Sequence, residues 1–376
     1  VTGDKLAQNP VSNIAEALQG QLPGVTVTSQ DGRPGASMSI RVRGGGSITQ
    51  SNDPLFIVDG VQVSSIDDIP ADNIESIDVL KDAASTAIYG ARGANGVILI
   101  TTKNAKEGKV NVKYNMYFRV KEKPETYKQE SAYDYVLRNW SYATAYNAKD
   151  GQDIAKYFGV GSENGNHLEE YKSMGTHNYQ DDLLGSSHSW NHDLSISGGT
   201  ERTKYYATLN YINDKGSLKN TGFRRWNGNV KLTQDINKKL KWNLDARYSE
   251  MQFKGAKFEY ATCSYNFRPI DTPLGEDDGS LLGMGDSHVS QAFNPVSIYD
   301  NYTSIHTRNR MRANNSLIWT PIKGLTGKTE LTLGRNWSEQ KTWDGGFEEG
   351  YSHAKLKKSD GYHVKWTSTI NYNVQG

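Results

Sequence analysis

The chain carries one cysteine, Cys263, in 376 residues, so no internal disulfide can form. It has no run of about 18 apolar residues, which excludes a transmembrane helix. No basic-then-apolar signal segment opens it. An excess of one charge is also missing. Lys and Arg number 43 against 42 Asp and Glu, so no basic surplus exists to release counterions from phosphates, and no nucleic-acid partner is expected. Aliphatic residues are sparse beside 37 Gly, 22 Tyr and 8 Trp, a mixture that suits strands and turns better than an aliphatic core. None of these absences excludes an outer membrane, because barrel strands alternate in polarity and give low hydropathy.

The residue groupings of catalysis are absent too. The 8 histidines are scattered; His188 and His192 stand four apart at a strand start, with no further ligands spaced for a metal. Glu276-Asp277-Asp278 is read as a solvated loop tip in preference to a calcium site. Gly90, Gly93 and Gly96 form G-x-x-G-x-x-G after a helix and before a strand. A dinucleotide fingerprint has the opposite order, and no Gly-Lys-Ser/Thr follows for a P-loop. No Ser-His-Asp set stands in a nucleophile-elbow context. The chain is expected to hold no catalytic residue, no metal and no cofactor, and not to be an enzyme.

What is present divides in two near residue 105. The first part is rich in small residues, with short β-branched runs at Val25–Thr28, Ser39–Arg43, Leu55–Val58, Ile74–Leu80 and Val97–Thr102. One short helix follows Asn13, with Glu16 in a capping-box position, and another spans Asp82–Tyr89. These elements predict a compact α+β domain over 1–105. Asp59-Gly60 predicts a type I′ hairpin turn. Gly90, Gly93 and Gly96 reverse the chain from the last helix into the last strand, where the backbone makes a close approach. Gly44-Gly45-Gly46 is placed at a loop tip.

From Val110 the pattern turns strictly period-2. Val110, Val112, Tyr114, Met116 and Phe118 face one way; Asn111, Lys113, Asn115 and Arg119 face the other. The alternation recurs around Trp190, Tyr205, Trp226, Trp242, Met311–Trp319, Thr329–Trp337 and Val364–Tyr372, about eight strands in 106–376. Short turns at 198–200, 235–238 and 321–324 alternate with long polar segments near 121–188, 252–305 and 338–360. A soluble antiparallel sandwich also alternates. Loop asymmetry, and aromatics near strand ends at Trp190, Trp226, Trp242, Trp319, Trp337 and Tyr372, favour a membrane β-barrel with its long loops outside the cell.

Four stretches in order, "ALQGQLPGVTV" (Ala17–Val27), "SIRVRGGGSI" (Ser39–Ile48), "PLFIVDGVQV" (Pro54–Val63) and "NIESIDVLKDAASTAIYGARGANGVILITTK" (Asn73–Lys103), closely resemble the plug domain of SusC-like TonB-dependent transporters of the Bacteroidetes outer membrane. The later region resembles the first strands of that family's barrel. The resemblance implies an antiparallel barrel of about 22 strands with the α+β plug in its lumen. It implies import of nutrient oligomers, oligosaccharides or oligopeptides, across the outer membrane of a Gram-negative cell. Implied partners are a SusD-like surface lipoprotein acting as a lid, the TonB complex, the cargo itself, and surrounding lipid or lipopolysaccharide. The alternatives from other classes are a non-transporting scaffold in an envelope complex and a surface β-sandwich binding protein. No TonB box and no carboxypeptidase-like domain are found before Val1, and eight strands are too few to enclose the plug. The expectation is therefore a portion of a longer protein.

Related transporters latch plug arginines onto barrel glutamates, which makes Arg41, Arg43 and Arg92 the latch candidates. The glycines assigned to plug turns are Gly44, Gly60, Gly90, Gly93 and Gly96. A polar plug-to-wall contact is expected from the inward faces, with Asn111, Lys113, Asn243, Asp245, Arg247, Arg310 and Arg312. Loop aromatics, Trp140, Tyr142 and Tyr146, are the candidates for substrate contact, and burial against a lid protein explains them equally well.

Overall fold

A computed structural model of the chain describes residues 1–7, 11, 14–29, 32–42, 52–146, 148–255, 268–270, 274–275, 295–344 and 353–372. Two short helices, α1 (Gly3–Ala7) and α2 (Ile14–Ala17), precede a hairpin of β1 (Val25–Ser29) and β2 (Met38–Val42). A four-stranded sheet follows in the order β4-β3-β6-β5, from β3 (Leu55–Val58), β4 (Val61–Val63), β5 (Ile74–Leu80) and β6 (Val97–Thr102). Strands β3 and β6 run parallel and the other pairs antiparallel. Leu6, Ile14, Leu18, Val27, Ile40, Ile74, Ile77, Ile98 and Ile100 form the core of this unit. It is a small core made mostly of branched aliphatics, and the unit is polar where it meets the rest of the chain.

The β3–β4 turn has Asp59 and Gly60 at φ 49° and 83°, both in the left-handed region that a type I′ turn demands. Sequence reading missed β4, three residues long, because a run that short has no measurable period. The helix expected over Asp82–Tyr89 is shorter: α3 spans Ala83–Thr86 and passes into a 3₁₀ stretch, Ala87–Gly93, broken at Gly90 (φ 62°, ψ −152°). At Gly96, φ is 91° and an added Cβ would lie 2.9 Å from the Val42 Cβ. This is where the last strand enters the sheet against β2, and only glycine fits.

Eight strands then form one antiparallel sheet in chain order: β7 (Gly108–Lys121), β8 (Ser187–Gly199), β9 (Thr203–Lys215), β10 (Gly222–Asn237), β11 (Leu240–Gly255), β12 (Tyr302–Ile322), β13 (Leu325–Asp344) and β14 (His353–Tyr372). Register puts the alternate residues on common faces: Tyr211 opposes Trp226, Tyr248 opposes Met311, and Leu333 opposes Val364. The two faces are inverted relative to a soluble sheet. Val230 is 48 % exposed while its neighbour Lys231 is 6 % exposed. On β8, Asn191 and Asp193 are buried, and Trp190 and Leu194 are exposed. A sandwich buries its apolar face against a second sheet. Here the apolar face points away from all described protein, and the polar face packs on the N-terminal unit. That removes the sandwich reading.

Turns at one end of the sheet are short, with Lys323-Gly324 joining Ile322 to Leu325. The other end carries the long connections. The segment read as a loop over 338–360 is corrected: β13 and β14 remain paired up to Asp344 and His353, leaving 345–352 between them. Residues such as Ser338, Glu339, Gln340 and Lys341 are polar on both faces, so hydrophobic alternation stops while hydrogen-bonded pairing continues. β12 has 21 residues. At ~3.4 Å per residue and a tilt near 40°, it spans about 50 Å, roughly twice the apolar band of a membrane barrel. The upper halves of these strands therefore stand clear of that band.

The connection from β7 to β8 is itself folded. Helices α4 (Ala132–Tyr146) and α5 (Ala148–Phe158) pack around Tyr135, Val136, Ile154, Phe158, Val160 and Tyr171, and Ile270 closes the cluster; α6 (Tyr179–Leu183) lies outside it and leads into β8. Tyr171 donates to the Phe158 carbonyl at 2.9 Å, and burial pushes its phenol up to about 12. A further helix, α7 (Pro295–Asn301), leads into β12.

Candidate functional site

The site is the contact between the N-terminal unit and the polar face of the sheet. Two runs of the N-terminal unit make most of it. The first is Asp67–Asn73, between β4 and β5. Arg225 of β10 donates to the Asp67 carbonyl at 2.8 Å, and Asn227 donates to the Asp68 carbonyl. Arg310 of β12 pairs with the Asp68 carboxylate at 3.0 Å. Asn115 of β7 donates to Asp72 at 3.2 Å, and Asn73 donates to Thr208 of β9 at 3.0 Å. One seven-residue run thus touches four strands. Burial raises the Asp72 carboxyl above its usual value, while the Asn115 hydrogen bond and the charges of Lys103 and Lys113 oppose that rise.

The second run centres on Asp59. Its carboxylate accepts from the Thr102 backbone at 2.9 Å and the Thr102 hydroxyl at 2.6 Å, which ties the hairpin turn to the end of β6. From the wall, Lys231 approaches Asp59 at 3.2 Å and Arg247 pairs with it directly. Arg247 also holds Asp245 at 3.0 Å and donates to the Thr102 hydroxyl at 2.8 Å. The side chains of Lys231 and Arg247 are 8 % and 10 % exposed, so these charges meet largely out of water. Removing one partner from such a buried pair costs about 3–5 kcal/mol, because the other charge stays desolvated.

The polarity of these ion pairs is the reverse of the expected latch. The acids, Asp59 and Asp68, belong to the N-terminal unit, and the bases, Lys231, Arg247 and Arg310, to the strands. Arg92 donates to Gln62 inside its own unit at 3.1 Å and is exposed. Arg41 is exposed on β2. Arg43 and Gly44 lie outside the described residues, as do Gly45 and Gly46. Of the other turn glycines, Gly60 and Gly90 adopt positive φ in open space, and Gly93 packs where an added Cβ would lie 2.9 Å from the Thr86 carbonyl. Of the expected inward residues, Asp245, Arg247 and Arg310 join the interface, Arg312 lines a cavity beside it, and Asn243 donates to Ser316 within the wall. Asn111 and Lys113 are on the same register face but exposed.

The loop aromatics separate. Trp140 is half-buried against the helical core, whereas Tyr142 and Tyr146 are exposed and nearly parallel, with ring centroids 6.4 Å apart. Sequence reading missed Asp59 as more than a turn residue, and missed Asp68 and Asp72. The available signal was "DDIPADN" (Asp67–Asn73), a cluster of acids in one unit opposite a row of inward arginines in the other.

An apolar-outside, polar-inside antiparallel sheet filled by a small α+β unit defines a plugged membrane-barrel architecture. The family model of the TonB-dependent receptor plug domain matches residues 1–97. A TonB-dependent receptor of Formosa agariphila is 35 % identical over 303 residues, covering 79 % of this chain and 29 % of that protein. The TonB-dependent receptor SusC of Bacteroides thetaiotaomicron is 33 % identical over 256 residues, covering 65 % of this chain and 23 % of that protein. In fold, a chain from the RagAB peptide importer in its open-open state superposes with a TM-score of 0.78 at 24 % identity, over 99 % of this chain and 44 % of that one. The chain belongs to the SusC-like TonB-dependent receptors, a family of outer-membrane β-barrel proteins, and contributes their plug and eight wall strands. It spans about a third or less of the length of the curated relatives it matches.

Proposed function

We propose that this chain works as the plug and leading wall of an importer that brings nutrient oligomers across the outer membrane. In this reading 1–105 is the plug and 106 onward is wall in a barrel of about 22 strands. The folded connection between β7 and β8 projects outside the cell. The cargo is an oligosaccharide or oligopeptide, a SusD-like lipoprotein covers the mouth, and the TonB complex supplies the pull that displaces the plug. The receptor acts on its cargo without chemistry.

The observation that carries the reading is the character of the plug–wall contact. A permanent domain interface is served best by apolar packing. This one is made of ion pairs and hydrogen bonds, which water replaces at small net cost once the contact opens. A seal that must hold at rest and yield under load needs that property. The Asp59–Arg247–Lys231 cluster and the Asp68–Arg310 pair are the proposed latch.

Deletion of the full-length receptor gene tests the function. Loss of growth on one class of oligomer, restored by the gene, supports import. Unchanged uptake together with displacement of neighbouring envelope proteins supports a scaffold instead.

A further inference from the structure

A cavity of about 500 Å³ lies beside the latch, between the β3–β4 hairpin with the run that follows it and strands β11–β14. Its lining holds Arg247, Arg310, Arg312, His363 and Lys365 from the wall and Arg92 from the plug. Four of the wall positions lie on one cross-strand row: Arg247 opposes Arg312, Arg312 opposes Gly334, and Gly334 opposes His363. Lys365 opposes Thr332 in the next inward row. Like charges placed directly opposite across a sheet destabilise it. Gly334 leaves the row without a side chain at its centre, and this opens the space.

The carboxylates near these cations are already engaged. Asp68 holds Arg310, and Asp59 and Asp245 hold Arg247. Among the described residues Arg312, His363 and Lys365 make no ion pair. Opposed arginines beside a cavity suit an oxyanion, since the guanidinium fork binds oxyanions with two parallel hydrogen bonds.

We propose that this cavity binds an oxyanion, and that the imported oligomer is therefore acidic, carrying carboxylate or sulfate groups that pass along Arg312 and Lys365 beside the plug. The substrate class rests on the import reading; the binding site does not. Sulfate is the probe for the site, added to the full-length receptor in detergent against chloride at matched ionic strength. The wild type gains about 1–2 °C in melting temperature from sulfate. Arg312→Gln and Lys365→Gln each need about tenfold more sulfate for the same gain. Arg312→Gln leaves the sulfate-free melting temperature unchanged or raised, because it relieves the repulsion with Arg247, so loss of response cannot be confused with misfolding. An equal sulfate response in wild type and both variants overturns the inference and leaves import standing.

A second arm measures uptake by cells of acidic and neutral oligomers of equal length. Acidic tripeptides and uronic-acid trisaccharides, each beside its neutral counterpart, identify the source of the anion. Preference for an acidic member, lost in Lys365→Gln, supports the assignment. Preference for the neutral members overturns the acidic-cargo claim.

Discussion

At the scale of single residues, Asp59 does two jobs with one carboxylate. It closes the β3–β4 turn onto Thr102 and it receives Arg247 and Lys231 from the wall. Asp59→Asn keeps the turn, because Asn also tolerates positive φ, but leaves two buried cations short of a counter-charge. The expected result is a raised open-channel fraction in planar bilayers and a plug that is cut faster by protease. A double-mutant cycle with Arg247→Gln should return a coupling of about 0.5–3 kcal/mol; additive effects would remove Asp59 from the latch. Arg92→Ala, by contrast, breaks only a contact to Gln62 and should conduct like wild type. Gly96→Val combines positive φ with a collision at Val42 and should cost more than about 2 kcal/mol, seen as loss of folded receptor from the membrane fraction.

At the scale of elements, the wall strands carry two codes on one chain. On β10, Trp226 and Val230 face outward while Arg225, Asn227, Asn229 and Lys231 face the plug. Val230→Lys should therefore cost about 2–4 kcal/mol if that position lies near the mid-plane of the bilayer, read as unfolding at lower urea in lipid vesicles. Substituting Asp at the inward Ser195, which lies opposite Lys113, should leave that midpoint nearly unmoved. On β13 and β14 the same outward face changes character with height. Leu331, Leu333, Val364 and Trp366 give way to the Arg335–Asp360 pair, 2.7 Å apart, with Arg335 over Trp337 and Tyr362. In a membrane barrel, amphipathic rings and charges of this kind belong at the level of the headgroups.

Helix α4 had its own signal. Ala132, Tyr135, Val136, Asn139 and Ala143 recur at helical spacing and are all buried. Reading the segment only as polar hid this. Trp140→Ala should loosen that unit and raise proteolysis in 122–186, whereas Tyr142→Ala with Tyr146→Ala should leave it folded and lower cargo uptake. Equal proteolysis of both variants would count against the division.

At the scale of the whole molecule, the inverted sheet requires an apolar surround. The full-length receptor should fractionate with outer membranes and need detergent for extraction; recovery in an aqueous wash would end the barrel reading. Strand positions and facing were legible in the sequence because a pleated strand has a period of two, and each neighbour votes on the same alternation. Five of the six plug strands were legible as short β-branched runs, β4 being too short to register, and so was the Asp59-Gly60 turn. The latch was not. Asp59 and Arg247 are 188 residues apart, and Asp68 and Arg310 are 242 apart. No local pattern encodes which inward arginine meets which acid, so the inferred polarity came out reversed. The length of β13 and β14 was also hidden, since pairing above the membrane needs backbone hydrogen bonds and no apolar face. Sequence alone determined the class of the two regions and the side each alternating strand residue takes, because those follow from short-range sterics and alternation. Only the tertiary structure decided which charges meet, where the plug touches the wall, and where cations line a cavity, because those depend on bringing distant chain segments to within a few ångströms.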